Sequence, residues 1–334
     1  MTNARFGCLG VGLVIILALS LLLNFFFLAA NSASVATSGL MPTALPKFDE
    51  ALVAEGKNND QRIAVIYLRG IISSSAEGAV AETAVEDLKL QLRQAVNDDK
   101  VKAVVLYIDS PGGEVTASDL IYNAVRRTRE KKPVVVYMSS LAASGGYYVA
   151  CGGSWLIANE TTLTGSIGVI MQTLNYQSLF NKVGLEMWTF KSGKFKDMLS
   201  GSRPITEEEQ AYVQGLIMQT YSKFVGIVAK ERNLPEDQLR NGVADGRVIS
   251  GKDALEAKLI NQVGEVEDAY EKARQLANAP DAAVVRYESR FSLGKIFRLL
   301  GQSEKAKIEV DLASGLAPKL EAGRLYFLPS HFAP

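Results

Sequence analysis

One histidine and two cysteines stand in a chain of 334 residues. That scarcity excludes a zinc cluster of Cys and His ligands, which needs about four such side chains. A disulfide is not expected either, because Cys8 borders an apolar run suited to lipid while Cys151 lies well outside it. The histidine, His331, falls in a proline-bearing tail, so a nucleophile activated by histidine in the usual triad is not expected. Neither sign of charge is in excess, with 36 Lys and Arg against 36 Asp and Glu. The basic surplus of a nucleic-acid binder is therefore missing. No loop carries the Asp/Asn/Gly spacing of a calcium site.

What is abundant is apolar surface, with 48% of residues hydrophobic. Residues 9–30, LGVGLVIILALSLLLNFFFLAA, form one uncharged run. As a helix its length is about 33 Å, enough to cross a hydrocarbon core of about 30 Å. Small residues follow it, as at a signal-peptide cleavage site, but the hydrophobic stretch of a signal peptide is shorter, roughly 7 to 15 residues. A retained transmembrane anchor is the expectation. Arg5 precedes the run and the next basic residue is Lys47, which orients the N-terminus to the cytoplasm and the rest of the chain outside. The expected organisation is a cytoplasmic N-terminus (1–8), an anchor (9–30), a Ser/Ala/Thr/Pro linker (31–60), a folded domain (61–289) and a tail (290–334).

Within the folded domain two periodicities alternate. RIAVIYLRGII (62–72), KAVVLYID (102–109) and PVVVYM (133–138) are β-branched and nearly continuous in apolar residues, as strands buried on both faces are. AVEDLKLQLRQAV (84–96) and LIYNAVRRTREKK (120–132) have helical spacing. The pattern predicts an α/β fold with a mostly parallel sheet flanked by helices. Thr206 with Glu209, and Ser250 with Asp253, read as helix N-caps. FSLGKIFRLLG, further on, is spaced as a short amphipathic helix.

Two glycine turns follow successive strands. IDSPGGEV (108–115) could expose backbone N–H groups to a negative oxygen, or could simply be a strand-to-helix turn. ASGGYY (143–148) puts Ser144 at a strand–helix junction with the Gly145 N–H behind it, the arrangement of a nucleophile beside an oxyanion site; an ordinary N-cap has the same letters. Parallel strands bring both turns to one edge of the sheet, where Gly113 and Gly145 could flank Ser144. A serine without histidine needs a lysine held neutral, and TFKSGKFKDMLSGS (189–202) offers Lys191, Lys194 and Lys196.

The blocks IDSPGG, SLAASGGYYVA, LTGSIGV and SGKFKD, followed by DGRVISGKDALEAKLINQVG, resemble in order and spacing the signal peptide peptidase A family, the S49 serine peptidases. The resemblance runs from about residue 62 to 288, and an N-terminal anchor is typical of the short bacterial-type members. It implies a fold related to the Clp protease subunit and the crotonases, and a Ser/Lys dyad. By motif position the nucleophile is then Ser144 and the general base Lys196. Gly113 and Gly145 supply the oxyanion-hole amides, and Ser166 orients the base. No metal or organic cofactor is implied. The implied partners are hydrophobic peptides such as cleaved signal peptides, membrane lipid through the anchor, and further copies of the chain in a ring or dome, with no nucleic acid. The dyad is completed within one subunit or between neighbours. Phe195 stands where the family often has Tyr. Two other readings share parts of this pattern, a crotonase-like acyl-CoA enzyme and a non-catalytic peptide-binding module; the anchor, Ser144 and Lys196 favour the peptidase.

Overall fold

The computed structural model describes residues 17–24, 48–74, 84–288 and 326–327. The chain divides into two units, Met1–Pro46 and Lys47–Pro334. In the first, residues 17–24 are helical (α1). The rest of the expected anchor at 9–30, the N-terminus before it and most of the linker lie outside the described residues. So do the expected amphipathic helix after residue 289, His331 and Cys8. Among the described residues no helix is long and apolar enough to cross a membrane.

The second unit is built on a sheet ordered β1-β10-β2-β3-β5-β6-β9, with β7 (Leu163–Gly165) beside β5 and β8 (Val248–Ser250) beside β7. The inner strands β2 (Asn58–Arg69), β3 (Val101–Ser110) and β5 (Val134–Ala143) coincide with the three apolar runs. They pair in parallel with one another and with β10 (Ala282–Glu288) and β6 (Trp155–Ala158). β9 (Gln262–Val263) continues the parallel set beyond β6. The edge strand β1 (Asp49–Ala54) runs antiparallel to β10 and lies within the stretch expected to be linker. Its DEALVA sequence carries little β-branched signal, so pairing with β10 rather than local propensity makes it a strand.

Strand side chains alternate between the two faces, and both faces are covered. Ala64, Ile66, Val104, Leu106, Val134 and Val136 join a core with α2 (Ala84–Asn97), α3 (Val115–Arg129), α4 (Gly145–Ala150) and α6 (Glu207–Arg232). Ile63, Val65, Ala103, Val105, Val135 and Tyr137 face the other way, onto Ala269 and Ala273 of α9 (Val266–Leu276). Each fully buried Val, Ile or Leu in these layers contributes about 1.5–3 kcal/mol of transfer free energy. The sheet therefore fixes where its strands end, and every parallel strand ends at the same edge.

The helix caps form where expected. Thr206 accepts a hydrogen bond from the Glu209 amide in a capping box, and Ser250 accepts one from the Asp253 amide at the start of α8 (Gly251–Glu256). Helix α3 starts five residues earlier than its spacing suggests, directly after the glycine turn.

Candidate active site

Three strand ends build the site. The register pairs Ser110 of β3 with Ala142 of β5, and Ala143 of β5 with Gly165 of β7 (Leu163–Gly165). Ser144 and Ser166 are the residues that follow those last two partners. The glycine turn after β3 and the serine turn after β5 thus lie side by side, as expected for loops at one edge of a parallel sheet.

Ser144 departs from the regular backbone at the junction. It has φ 52° and ψ −113°, a left-handed conformation costly for an L residue. Its N–H donates to the Gly165 carbonyl at 2.8 Å and its carbonyl accepts from the Tyr148 amide at 2.8 Å. Both neighbours are locked. Tyr147 and Tyr148 are fully buried, donating through their hydroxyls to the Leu259 carbonyl and to Asp119. The Ser144 side chain is also buried, yet its Oγ has no hydrogen-bond partner among the described residues. Burying a hydroxyl unpaired costs about 1–3 kcal/mol, and a catalytic role is one physical reason for a fold to bear that cost.

The glycines around it are required by space. A Cβ on Gly145 would stand 2.6 Å from Ser118 Oγ and 3.1 Å from the Gly113 amide nitrogen. One on Gly112, whose φ is 104°, would stand 2.6 Å from the Gly145 amide nitrogen. The Gly113 and Gly145 amides therefore approach one another beside Ser144. The turn that carries Gly113 is pinned from below: Ser110 Oγ donates to the Gly70 carbonyl and accepts from the Gly112 amide. On its flank Ile72 and Glu114 exchange backbone bonds with the turn, Ile72 N–H to Gly112 and Glu114 N–H to Ile72. Two converging N–H groups next to a hydroxyl can stabilise the oxyanion of an acyl-transfer intermediate.

A two-residue strand that the sequence pattern did not reveal runs across this arrangement. Tyr326–Phe327 (β11) pairs antiparallel with Gly113–Glu114 (β4) and bridges Ile170 on its other edge. Tyr326 exchanges both of its backbone bonds with Ile170, so the backbone groups of Phe327 face β4. The Phe327 carbonyl oxygen lies against Gly112, 2.1 Å from where a Cβ would be. Its ring is buried, stacked on Tyr148 at 4.9 Å and tilted on Phe224 at 4.8 Å. The tail sequence LYFLP is apolar enough to have hinted at burial, but nothing local marks where it pairs.

The three candidate lysines sit together on an arm between β7 and α6. Lys191 pairs with Asp197 at 2.7 Å and Lys194 with Glu208 at 2.5 Å. Lys196 is exposed and has no ion pair among the described residues. Neither Lys196 nor Ser166 reaches Ser144, whose Oγ is unpartnered. Ser166, at φ 49°, is buried beside the Ser144 turn and donates its N–H to the Arg247 carbonyl. Phe195 stacks on Tyr212 at 5.3 Å, so its ring packs on α6. Arg203, unnoticed in the sequence, holds both Asp197 and Glu209.

Residues 126–280 match the family model described as Peptidase family S49, and residues 56–172 match that of Clp protease. Over 244 residues the chain is 34% identical to "Putative signal peptide peptidase SppA" of Enterococcus faecium, covering 72% of this chain and 70% of that one. It is 43% identical over 190 residues to "Putative protease MJ0651" of Methanocaldococcus jannaschii, covering 57% of this chain and 61% of that one. It is 32% identical over 279 residues to "Protease 4" of Haemophilus influenzae, covering 79% of this chain and 44% of that one. The chain thus spans about three fifths of the second of these relatives and under half of the third.

Proposed function

The chain belongs to peptidase family S49 and is a serine peptidase, and on that premise we propose that it cleaves extended hydrophobic peptides with a Ser144/Lys196 dyad completed between two copies of the chain. The observation that carries the reading is the buried, unpartnered Ser144 Oγ, held at a strained backbone beside the Gly113 and Gly145 amides.

Neutral Lys196 takes the Ser144 proton as Oγ attacks the scissile carbonyl carbon. The oxyanion is held by the Gly113 and Gly145 N–H groups, and the lysine ammonium returns its proton to the leaving amine. Water then attacks the acyl-enzyme by the same path in reverse. Lys196 is favoured over its neighbours because Lys191 and Lys194 are each engaged by a carboxylate, which holds an amine in its charged form. Ser166, carried on the strand end next to Ser144, is positioned to orient the incoming lysine.

Completion by a second copy is supported by the arm itself. Leu174, Leu179, Val183, Leu185, Trp188 and Phe190 are all more than half exposed, Phe190 at 91%. So large an apolar surface marks an interface, and the lysine rides on it. The substrate's path is supported by β11, which lies as an extended peptide would, one edge on Gly113 and the other on Ile170. An aromatic side chain fills the pocket under its carbonyl, which fits hydrophobic peptides such as spent signal peptides. The uncharged run at 9–30 supports a membrane-anchored enzyme with its catalytic domain outside the cytoplasm.

The test is hydrolysis of a signal-peptide-like fluorogenic substrate by the full chain in detergent, beside Ser144→Ala and Lys196→Ala. Both variants should be folded and inactive. Full activity in Lys196→Ala would refute the dyad.

A further inference from the structure

Asp197 adjoins Lys196 in the chain, and a free carboxylate beside a lysine amine opposes the neutral form that a general base requires. In this structure the carboxylate is committed elsewhere. Arg203 grips it through two bonds, Nε to Oδ2 at 2.9 Å and Nη2 to Oδ1 at 2.7 Å, and Lys191 Nζ takes Oδ1 at 2.7 Å. The same guanidinium reaches Glu209, Nη1 to Oε2 at 2.9 Å and Nη2 to Oε1 at 2.5 Å. Glu209 is the third residue of α6 and the partner of Thr206 in its capping box, so Arg203 ties the lysine turn to the start of a 26-residue helix.

The turn is short, and backbone bonds also close it. Lys196 donates its N–H to the Gly193 carbonyl, and the Asp197 carbonyl accepts from Ser200. On this turn and the start of α6, Lys191 and Arg203 pair with Asp197, Lys194 with Glu208 and Arg203 with Glu209, while Glu207 of the first α6 turn is exposed. Arg203 and Lys191 hold the Asp197 carboxyl well below its ordinary range, and Arg203 holds Glu209 down to about 2.

We infer that Arg203 is a positioning residue for the general base, holding Asp197 turned away so that the Lys196 amine has no carboxylate to keep it charged. The inference rests on reading Lys196 as the base. Guanidinium suits the role because it stays charged at any working pH and its planar fork meets two carboxylates at once.

The experiment is the pH profile of kcat/KM for the full chain in detergent, comparing wild type with Lys196→Ala, Arg203→Gln, Arg203→Lys, Asp197→Asn and the Arg203→Gln/Asp197→Asn double variant. Lys196→Ala should be inactive; if it is active, the base assignment falls, and this inference with it. Arg203→Gln should move the acid limb of the profile upward by about one unit, with roughly tenfold loss at neutral pH. Removing the carboxylate in the double variant should return the limb to its wild-type position. Arg203→Lys, which keeps two cations on Asp197 where Arg203→Gln leaves Lys191 alone, should leave the limb close to wild type. A purely structural Arg203 would lower activity by one factor at every pH and gain nothing from Asp197→Asn, and that result would overturn the inference. If Arg203→Gln does not fold, Arg203→Lys and Asp197→Asn carry the test, and a limb displaced in either would overturn it.

Discussion

Ser144 holds a left-handed backbone that costs an L residue about 1–3 kcal/mol. The neighbouring tyrosines and the strand pairing of Ala143 with Gly165 keep it there. Relief of that strain should be measurable. Ser144→Gly and Ser144→Ala both remove the proposed nucleophile and should lose roughly 10⁴-fold or more in kcat/KM. Of the two, Ser144→Gly should melt higher, because only glycine tolerates the positive φ; equal Tm values would mean the backbone is unstrained. Gly145→Ala forces a methyl to 2.6 Å from Ser118 Oγ and 3.1 Å from the Gly113 amide. It should reduce kcat about 100-fold with little change in KM, the signature of a displaced oxyanion donor. Much of this was legible in the letters, since small residues around a serine at a strand end carry a steric meaning. The strain and the orphaned hydroxyl were not, because they depend on what surrounds the turn in three dimensions.

Elements divide along the same line. β2, β3 and β5 could be read from runs of Val and Ile, and α6 from its capping box, because local chemistry specifies them. Thr206→Ala should cost about 1 kcal/mol and lower the Tm by about 2–4 °C. Glu209, held down to about 2 mainly by Arg203 and by the Thr206 amide, adds stability that is present in full above its ordinary 4.5 and lost as pH falls from there towards 2. Acid titration of the wild type should show that loss, and Arg203→Gln should lack most of it. β1 and β11 could not be read, since DEALVA and the two residues Tyr326–Phe327 become strands only through distant partners. Because β11 covers the Gly113 edge, Phe327→Asp should expel it and lower KM for added peptides severalfold. An unchanged KM would place the substrate elsewhere.

At the scale of the whole molecule, one chain carries both halves of the proposed dyad without bringing them together. Ser144 is buried and unpartnered, while Lys196 is exposed on an apolar arm. Exposure of Trp188 and Phe190 is no more legible in sequence than their burial would have been, since the same letters serve a core or an interface. The most direct measurement mixes two inactive full-length proteins, Ser144→Ala and Lys196→Ala, dissociated and reassembled at equal ratio. If each site joins Ser144 of one copy to Lys196 of the next, about a quarter of the sites regain both residues, and peptidase activity should return to about that fraction of wild type. A mixture as inactive as its components, in assemblies shown to have exchanged subunits, would contradict a dyad shared between copies.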